Sequence, residues 1–391
     1  MDDVLAGTRV LDLTNALAGS SATKILADLG AEVIKVEHPG AGDYTRTLMP
    51  YLFEAHNRNK RSLAVDLKAA EGVALVKRLA VSCDVLVQSM RPGAARELGL
   101  SAEEMAAVNP TLIYASFSTF GPTGPKAHRR GVDGVAQAES GLAALQNQVL
   151  GNTSFVDSAS GLALSQAILI ALMKRDRTGV VEPVDVCLLD TAVYLQAAPI
   201  AEYSVTGTLV DQDAYVARYP AVGVYQAADG PFYLAPYWEH DWQAVCAMID
   251  RLDLLADRRF ADRAARGEHA HELRDLLQAE FGGRPRAEWL AQLEAQGVLA
   301  GIVQDYTELL ADPQLAVNQS WEQFTLASGA QPIFPRAPFR FAGQPLTSAH
   351  AAPGLGADTG ALLDELGIAA GERLRLYTAG VIATDAQPVE G

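Results

Sequence analysis

Along the first third of the chain the apolar positions keep changing period. Val10-Leu11-Asp12-Leu13 is a short apolar run and predicts a strand. Ala22 to Leu29 has helical spacing, with Ser21 placed to cap it and Gly30 to end it, and Glu32 to Val36 predicts the next strand. That succession is a βαβ unit. Further strands are predicted at Val85-Leu86-Val87 and Leu112 to Ser116, and helices over Ala70 to Leu79 and after Ser101, where Ser101 and Glu104 form a capping box. Strands alternating with helices imply a parallel sheet covered by helices on both faces. The first turn, Asn15 to Ser20, lacks the G-x-G-x-x-G spacing, so nothing supports a nicotinamide cofactor.

The pattern changes after Val205. Gly223 to Gly230 and Phe232 to Ala235 predict a hairpin, and the Arg- and Glu-rich stretch from Asp250 to Glu294 predicts exposed helices. The chain then divides into a large domain over 1–219, a small domain over 220–325, and a segment over 326–391. In that last segment Pro332 to Pro338 reads as a linker and Leu362 to Leu376 as a final helical segment.

Between these regions, Leu162 to Met173 is apolar all round and predicts a buried helix, with Asp157 at its mouth. Two readings of Asp157 stand side by side. It is an N-cap, accepting a backbone hydrogen bond at the positive end of the helix dipole, or it is a carboxylate kept ionised and fixed in place as a nucleophile.

The flanking sequence bears on that choice. Gly7 to Leu13, Ala18-Gly19, Leu26 to Glu37, Gly42 to Arg46, Asn59 to Ser62, Asp66-Leu67-Lys68, Arg91-Pro92-Gly93, Val108-Asn109-Pro110 and Gly121 to Pro125 occur in that order. The succession resembles the family III CoA-transferases, a group that includes formyl-CoA transferase, carnitine-CoA transferases and the alpha-methylacyl-CoA racemases. The resemblance implies a Rossmann-like parallel-sheet large domain of α/β class plus a smaller α+β domain, with the tail returning to the large domain and two chains interlocked as a homodimer. It implies that Asp157 is the catalytic nucleophile. It also implies that Ala16, Leu17 and Ala18 lie at the thioester end of coenzyme A, and that His38, Val65, Lys68, Ser89, Met90, Arg96 and Arg130 contact it. His38 stands where formyl-CoA transferase has an arginine, Ser89 and Met90 replace an Asn-Phe pair, and the phosphate-contacting arginine is displaced to Arg96, with Glu97 in its place. Arg58, Lys60 and Arg61 remain open between a solvated basic turn and a functional role.

The reaction class turns on Val132. Racemases of the family carry a histidine after the glycine equivalent to Gly131, because inverting an alpha-carbon needs two acid/base groups. Valine cannot move a proton. Glu239 aligns loosely with a second racemase acid and by default is a polar surface residue. The expectation is a CoA-transferase moving CoA from an acyl-CoA to a carboxylic acid through an aspartyl anhydride and an aspartyl-CoA thioester. A racemase or isomerase, or a non-catalytic acyl-CoA-binding protein, are the alternatives.

Composition narrows the partners. A net charge of −16 argues against nucleic acid or an anionic membrane surface. Cys83, Cys187 and Cys246 are widely spaced and read as free thiols in a reducing compartment, and the start Met-Asp-Asp-Val lacks the features of a signal peptide, which together suggest the cytoplasm. No stretch reads as an uninterrupted apolar membrane span. Neither a metal site nor a permanently bound cofactor is expected. His269 and His271, in Glu268 to Glu272, read as solvated.

Overall fold

The computed structural model describes residues 4–384. Met1, Asp2 and Asp3, and the end of the predicted tail from 385 onward, lie outside the described residues.

Six parallel strands form the main sheet: β1 (Arg9–Leu13), β2 (Glu32–Glu37), β3 (Lys60–Val65), β4 (Val85–Gln88), β5 (Ile113–Ser118) and β6 (Val184–Cys187). Their order, β3-β2-β1-β4-β5-β6, is that of a doubly wound fold, and a short strand at Ile382–Ala383 pairs antiparallel with the outer edge of β3. The pleat sends alternate residues to opposite faces, so a strand buried on both sides reads as one continuous apolar run. Val10, Val33, Val85 and Ile113 face α1 (Ala18–Asp28) and the long helix Phe155–Thr178, meeting Ala22, Leu26, Leu164 and Ile168. Leu11, Ile34, Leu63 and Leu86 face the other way, toward Leu75, Val76 and Leu79 of the helix Ala70–Ala80 and Leu362, Leu363 and Leu376 of the tail.

Local signals account for many boundaries. Gly30 ends α1 with φ 96°, and the Ser101–Glu104 capping box opens the helix Ala102–Val108. Helix α1, however, begins at Ala18 instead of after Ser21, and among the described residues its N-terminus has no side-chain cap. The predicted final helical segment is two helices, Thr359–Glu365 and Ala370–Thr378, parted by Gly367 at φ 67°. Within the expected linker, Ile333–Pro335 is a strand paired with Trp321–Gln323.

The helix Phe155–Thr178 departs most from expectation. Only one side is buried: Leu164, Ile168 and Leu172 are in the core, while Leu162, Ile170 and Met173 are 43%, 64% and 50% exposed. Its apolar residues run all round, but within one chain only one side meets the sheet and α1. Length and composition alone would let it cross a membrane. Packing against β-strands on one face marks it instead as a core helix.

The chain separates into two compact units, the larger comprising residues 1–142, 150–195 and 316–391, the smaller 143–149 and 196–315. The smaller unit thus reaches back to 196, because the helix Gln212–Arg218 packs against Arg263–Glu268 and Ala270–Phe281. Its sheet is the hairpin Gly223–Ala227 and Gly230–Ala235 plus a third antiparallel strand, Leu299–Ile302, that the sequence pattern did not reveal. The helices expected to be exposed each bury one face, through Leu273, Leu277 and Phe281 and through Trp289 and Leu293. His269 lies between two of these helices and pairs with Glu272 at 3.5 Å.

All three cysteines are buried and unpaired. Burial pushes their thiols up to about 12 for Cys83 and Cys246 and about 11 for Cys187, which keeps them protonated and unreactive.

Contact between α1 and the long helix depends on Gly161. A Cβ there would come within 2.9 Å of the Ala18 carbonyl oxygen and 3.0 Å of Ser21 Cβ. Gly161→Ala should therefore lower the melting temperature despite the roughly 1 kcal/mol that alanine gains over glycine in a helix. Gly360→Ala, where a Cβ meets nothing within 4 Å, should not. Differential scanning fluorimetry of the two variants checks this, and equal shifts would contradict the close-contact account.

Candidate active site

Beneath the loop that joins β1 to α1 lie two aspartates and two lysines, all buried. Asp12 Oδ1 accepts from the Thr14 amide (2.9 Å) and hydroxyl (2.6 Å), and Oδ2 from Thr23 Oγ1 (2.7 Å) and Lys60 Nζ (2.9 Å). Lys60 also donates to the Ser20 carbonyl and Asn57 Oδ1, each at 2.9 Å. Lys35 donates to the Thr14 carbonyl at 2.9 Å and pairs with Asp43 at 3.1 Å. Burial alone would raise the Asp12 carboxyl, but Lys60 and Lys35 with the two hydroxyls hold it well below the usual carboxylate range. Burial draws Lys60 down to about 8 against the pull of Asp12. The solvated-turn reading is thereby corrected for Lys60 and Arg58: Arg58 is also buried, paired with Glu322 at 2.9 Å and stacked over Phe334. Arg61 alone lies toward the surface, paired with Glu32 and Glu365.

This knot fixes the loop above it. Ala16 has φ 65°, a left-handed conformation costly for a residue with a Cβ. It is held there by its amide, which donates to Asp43 Oδ2 at 3.2 Å, while the Asn15 amide donates to Ser89 Oγ at 3.1 Å. Ser89 follows β4 and Asn15 follows β1, so this bond spans the point where the strand order reverses, where doubly wound sheets bind ligands. The Ala16 amide is committed to Asp43, which leaves the Leu17 and Ala18 amides at the start of α1 as the loop's open donors among the described residues.

Asp157 is the third residue of the helix Phe155–Thr178 and not its N-cap. Its amide donates to Asp133 Oδ2 at 2.9 Å. One turn along the same face, Gly161 touches Ala18, which sets Asp157 near the start of α1. Tyr44 is close enough for Asp157, after burial and Asp43, to push its hydroxyl up. The expectation that this setting keeps the carboxylate ionised does not hold. Burial first, and then the charge of Asp133, push Asp157 up to about 7.

The other sequence-predicted residues separate into two groups. Ser89, Met90 and Arg130 line a cavity of about 540 Å³ beyond β4 and β5, and Met90 and Arg96 line an adjoining one of about 410 Å³. Arg91 borders both; the sequence marks it only as part of the Arg91-Pro92-Gly93 motif and not as a CoA contact. Among the described residues Arg91 and Arg130 make no ion pair, whereas Arg129 pairs with Glu139 at 2.6 Å and Arg96 with Glu103 at 3.7 Å. His38, Val65 and Lys68 stand at or just past the ends of β2 and β3, outside both cavities. His38 Nδ1 accepts from the Gly40 amide at 3.1 Å, Lys68 is exposed, and Val65 is buried beside the terminal strand. Val132 stands at the rim of the larger cavity, 61% exposed, next to Asp133. In the smaller unit Glu239 accepts two hydrogen bonds from Arg266, at 3.1 and 2.6 Å. Among the described residues no three His, Cys, Asp or Glu side chains gather as metal ligands.

Asp133 was also missed. Its only local signal is an acidic residue in the first turn of the helix Asp133–Glu139, and its pairing with Asp157 is a long-range contact that no spacing rule announces.

Residues 5–359 match the profile of CoA-transferase family III. The chain is 33% identical over 377 residues to a succinyl-CoA:glutarate CoA-transferase of Mus musculus, covering 93% of this chain and 86% of that one. It is 36% identical over 329 residues to an acetyl-CoA:oxalate CoA-transferase of Acetobacter aceti, covering 80% and 84%. The crystal structure of Rv3272 from Mycobacterium tuberculosis superposes with a TM-score of 0.83 at 32% identity, over 92% of this chain and 99% of that one.

A carboxylate raised toward neutrality makes a linkage prediction. The folded Asp157 binds its proton more tightly than the unfolded one, so its contribution to stability falls as pH rises from the usual aspartate range through 7. Asp157→Asn removes that ionisation, so the melting temperature of the variant relative to wild type should climb between pH 4 and pH 8. A pH-independent difference would contradict it.

Proposed function

As this chain belongs to CoA-transferase family III, we propose that it moves CoA from an acyl-CoA donor to a carboxylic acid by covalent catalysis on Asp157. The carrying observation is a half-buried carboxylate beside the switch-point loop with no hydrogen bond to its side chain among the described residues. The carboxylate attacks the donor thioester carbonyl, the C–S bond breaks, and a mixed anhydride and CoA thiolate result. The thiolate attacks the aspartyl carbonyl, expelling the donor acid as its carboxylate and leaving an aspartyl-CoA thioester. The acceptor carboxylate attacks that thioester, and the released thiolate then takes the acceptor acyl group from the second anhydride. Each step exchanges one activated acyl group for another, so the cycle needs no net proton, nucleotide or metal. Developing charge on the thioester oxygen would be met by the Leu17 and Ala18 amides.

The CoA phosphates require cations free of internal partners, which favours Arg91 and Arg130 along the two cavities, with Ser89, Met90 and Arg96 beside them. Racemisation is disfavoured on two counts. Val132 supplies no acid or base where a racemase has one, and the Glu239 carboxylate is occupied by Arg266. The relatives named for succinyl-CoA and glutarate, and for acetyl-CoA and oxalate, support a carboxylic acid acceptor of this kind. Three buried thiols favour a reducing compartment such as the cytoplasm.

Asp157→Ala should abolish transfer while leaving a folded protein. Hydroxylamine added to wild type turning over an acyl-CoA should leave a hydroxamate at Asp157, read by peptide mass. Absence of that adduct would favour acyl-CoA binding without covalent chemistry.

We also propose an interlocked homodimer, supported by the family and by the uncovered apolar side of Phe155–Thr178. Sedimentation should show a dimer at every dilution, since interlocked chains part only by unfolding. A folded monomer appearing on dilution would contradict it.

A further inference from the structure

An aspartate in the first turn of a helix ordinarily folds its carboxylate back onto the unpaired amides there, and a carboxylate held by N–H groups is a weaker nucleophile. In the helix that carries Asp157 the N-cap Ser154 makes no side-chain cap among the described residues, and the Phe155 amide is taken by the Thr153 carbonyl at 2.8 Å, which leaves the amides of Val156 and Asp157. The amide of Asp157 is nevertheless already taken, by Asp133 Oδ2 at 2.9 Å. The other oxygen of Asp133 accepts from Gln137 Nε2, one turn along the same helix. Gln137 Oε1 in turn accepts from the Gly151 amide at 2.9 Å, in the stretch leading into the Asp157 helix. Asp133 and Gln137 are both buried, so neither oxygen of Asp133 is free to swing away.

We propose that Asp133 is a positioning residue for the nucleophile: it takes over the capping of the Asp157 helix, so that the Asp157 carboxylate stays off the helix amides and is presented unbonded to the thioester carbonyl. This rests on the nucleophilic role proposed above for Asp157. Gln137 and Gly151 set the angle of the Asp133 carboxylate, and through it the direction of the Asp157 side chain. The negative charge of Asp133 has a second effect. It opposes ionisation of Asp157 and so makes the carboxylate, once ionised, more basic and more nucleophilic. Among the described residues the other titratable group facing Asp157 is Tyr44, with Asp43 behind it, and no cation counters them at the carboxylate.

The test is Asp133→Asn in the full chain. Asparagine cannot accept from both Asp157 and Gln137 with its two side-chain atoms, and it carries no charge. Turnover should fall about 10- to 100-fold, as expected for a misaligned reacting group, with KM for the acyl-CoA within about twofold of wild type. The acidic limb of the kcat/KM profile should move to lower pH by about one unit, because a neighbouring negative charge has gone. Gln137→Met keeps the charge but releases its tether, so it should lower kcat and leave the acidic limb in place. Either variant with lowered melting temperature but wild-type kcat would show a purely structural role and overturn the inference. A wild-type hydroxamate at Asp157 together with an unshifted limb in Asp133→Asn overturns it alone, whereas a wild type that gives no adduct overturns the nucleophile reading and this inference with it.

Discussion

Everything above the carboxyl ends of the first three strands depends on the buried ion pairs Asp12–Lys60 and Lys35–Asp43. Four charges withdrawn from water carry a large desolvation cost, several kcal/mol for each ion, unless every lone pair and proton is satisfied. Here the set sums to zero charge, and hydroxyls and carbonyls complete the shells of Asp12 and Lys60. Removal of one lysine would strand a carboxylate, a change that in buried pairs costs about 3–5 kcal/mol. The arrangement therefore has one satisfactory geometry, and that geometry dictates where the loop after β1 runs. Asp43 then holds Ala16 in its strained conformation, and α1 starts at Ala18.

Charge is divided within the larger unit by function. Cations that serve structure are buried and matched by acids, as Lys35, Lys60 and Arg58 are. Arg91 and Arg130, without an acidic partner among the described residues, line open cavities. Among the described residues the charges acting on Asp157 are acidic, from Asp133, with Tyr44 beside it. A chain with a net charge of −16 thus keeps a local excess of cations along two cavities and a carboxylate raised toward neutrality elsewhere.

Where chemistry is local, the amino-acid sequence announces it. The run Val10 to Leu13, the stop at Gly30 and the Ser101–Glu104 box are decided by neighbours within a few positions, and they appear as expected. The failures share the opposite property. Arg58 and Lys60 sit in a run, Arg-Asn-Lys-Arg, that looks solvated, and only their distant partners Glu322 and Asp12 make them core residues. The start of the Asp157 helix was misplaced for the same reason, since the group that satisfies its amide comes from another helix. Family resemblance is what singles out Asp157 as a candidate, and its elevated proton affinity follows from burial and Asp133, neither of which a linear pattern contains. The one-sided burial of Phe155–Thr178 was hidden because composition reports how apolar a helix is, not how many neighbours one chain can bring to it.

The short strand Ile382–Ala383 closes the sheet along β3, which lies near the chain's other end. Ser62 and Ala64 of β3 also bond to Asp358 and Thr359. The larger unit is therefore discontinuous in sequence, its three segments parted by residues 143–149 and 196–315. During synthesis the early strands emerge long before the residues that seal their edge, and loop closure over such a separation is slow. The smaller unit, most of whose contacts lie within 196–315, has everything it needs first. Order of emergence would then make the nascent large sheet, with β3 uncovered and its apolar layer missing Leu362, Leu363 and Leu376, the species most exposed to aggregation and most in need of a chaperone.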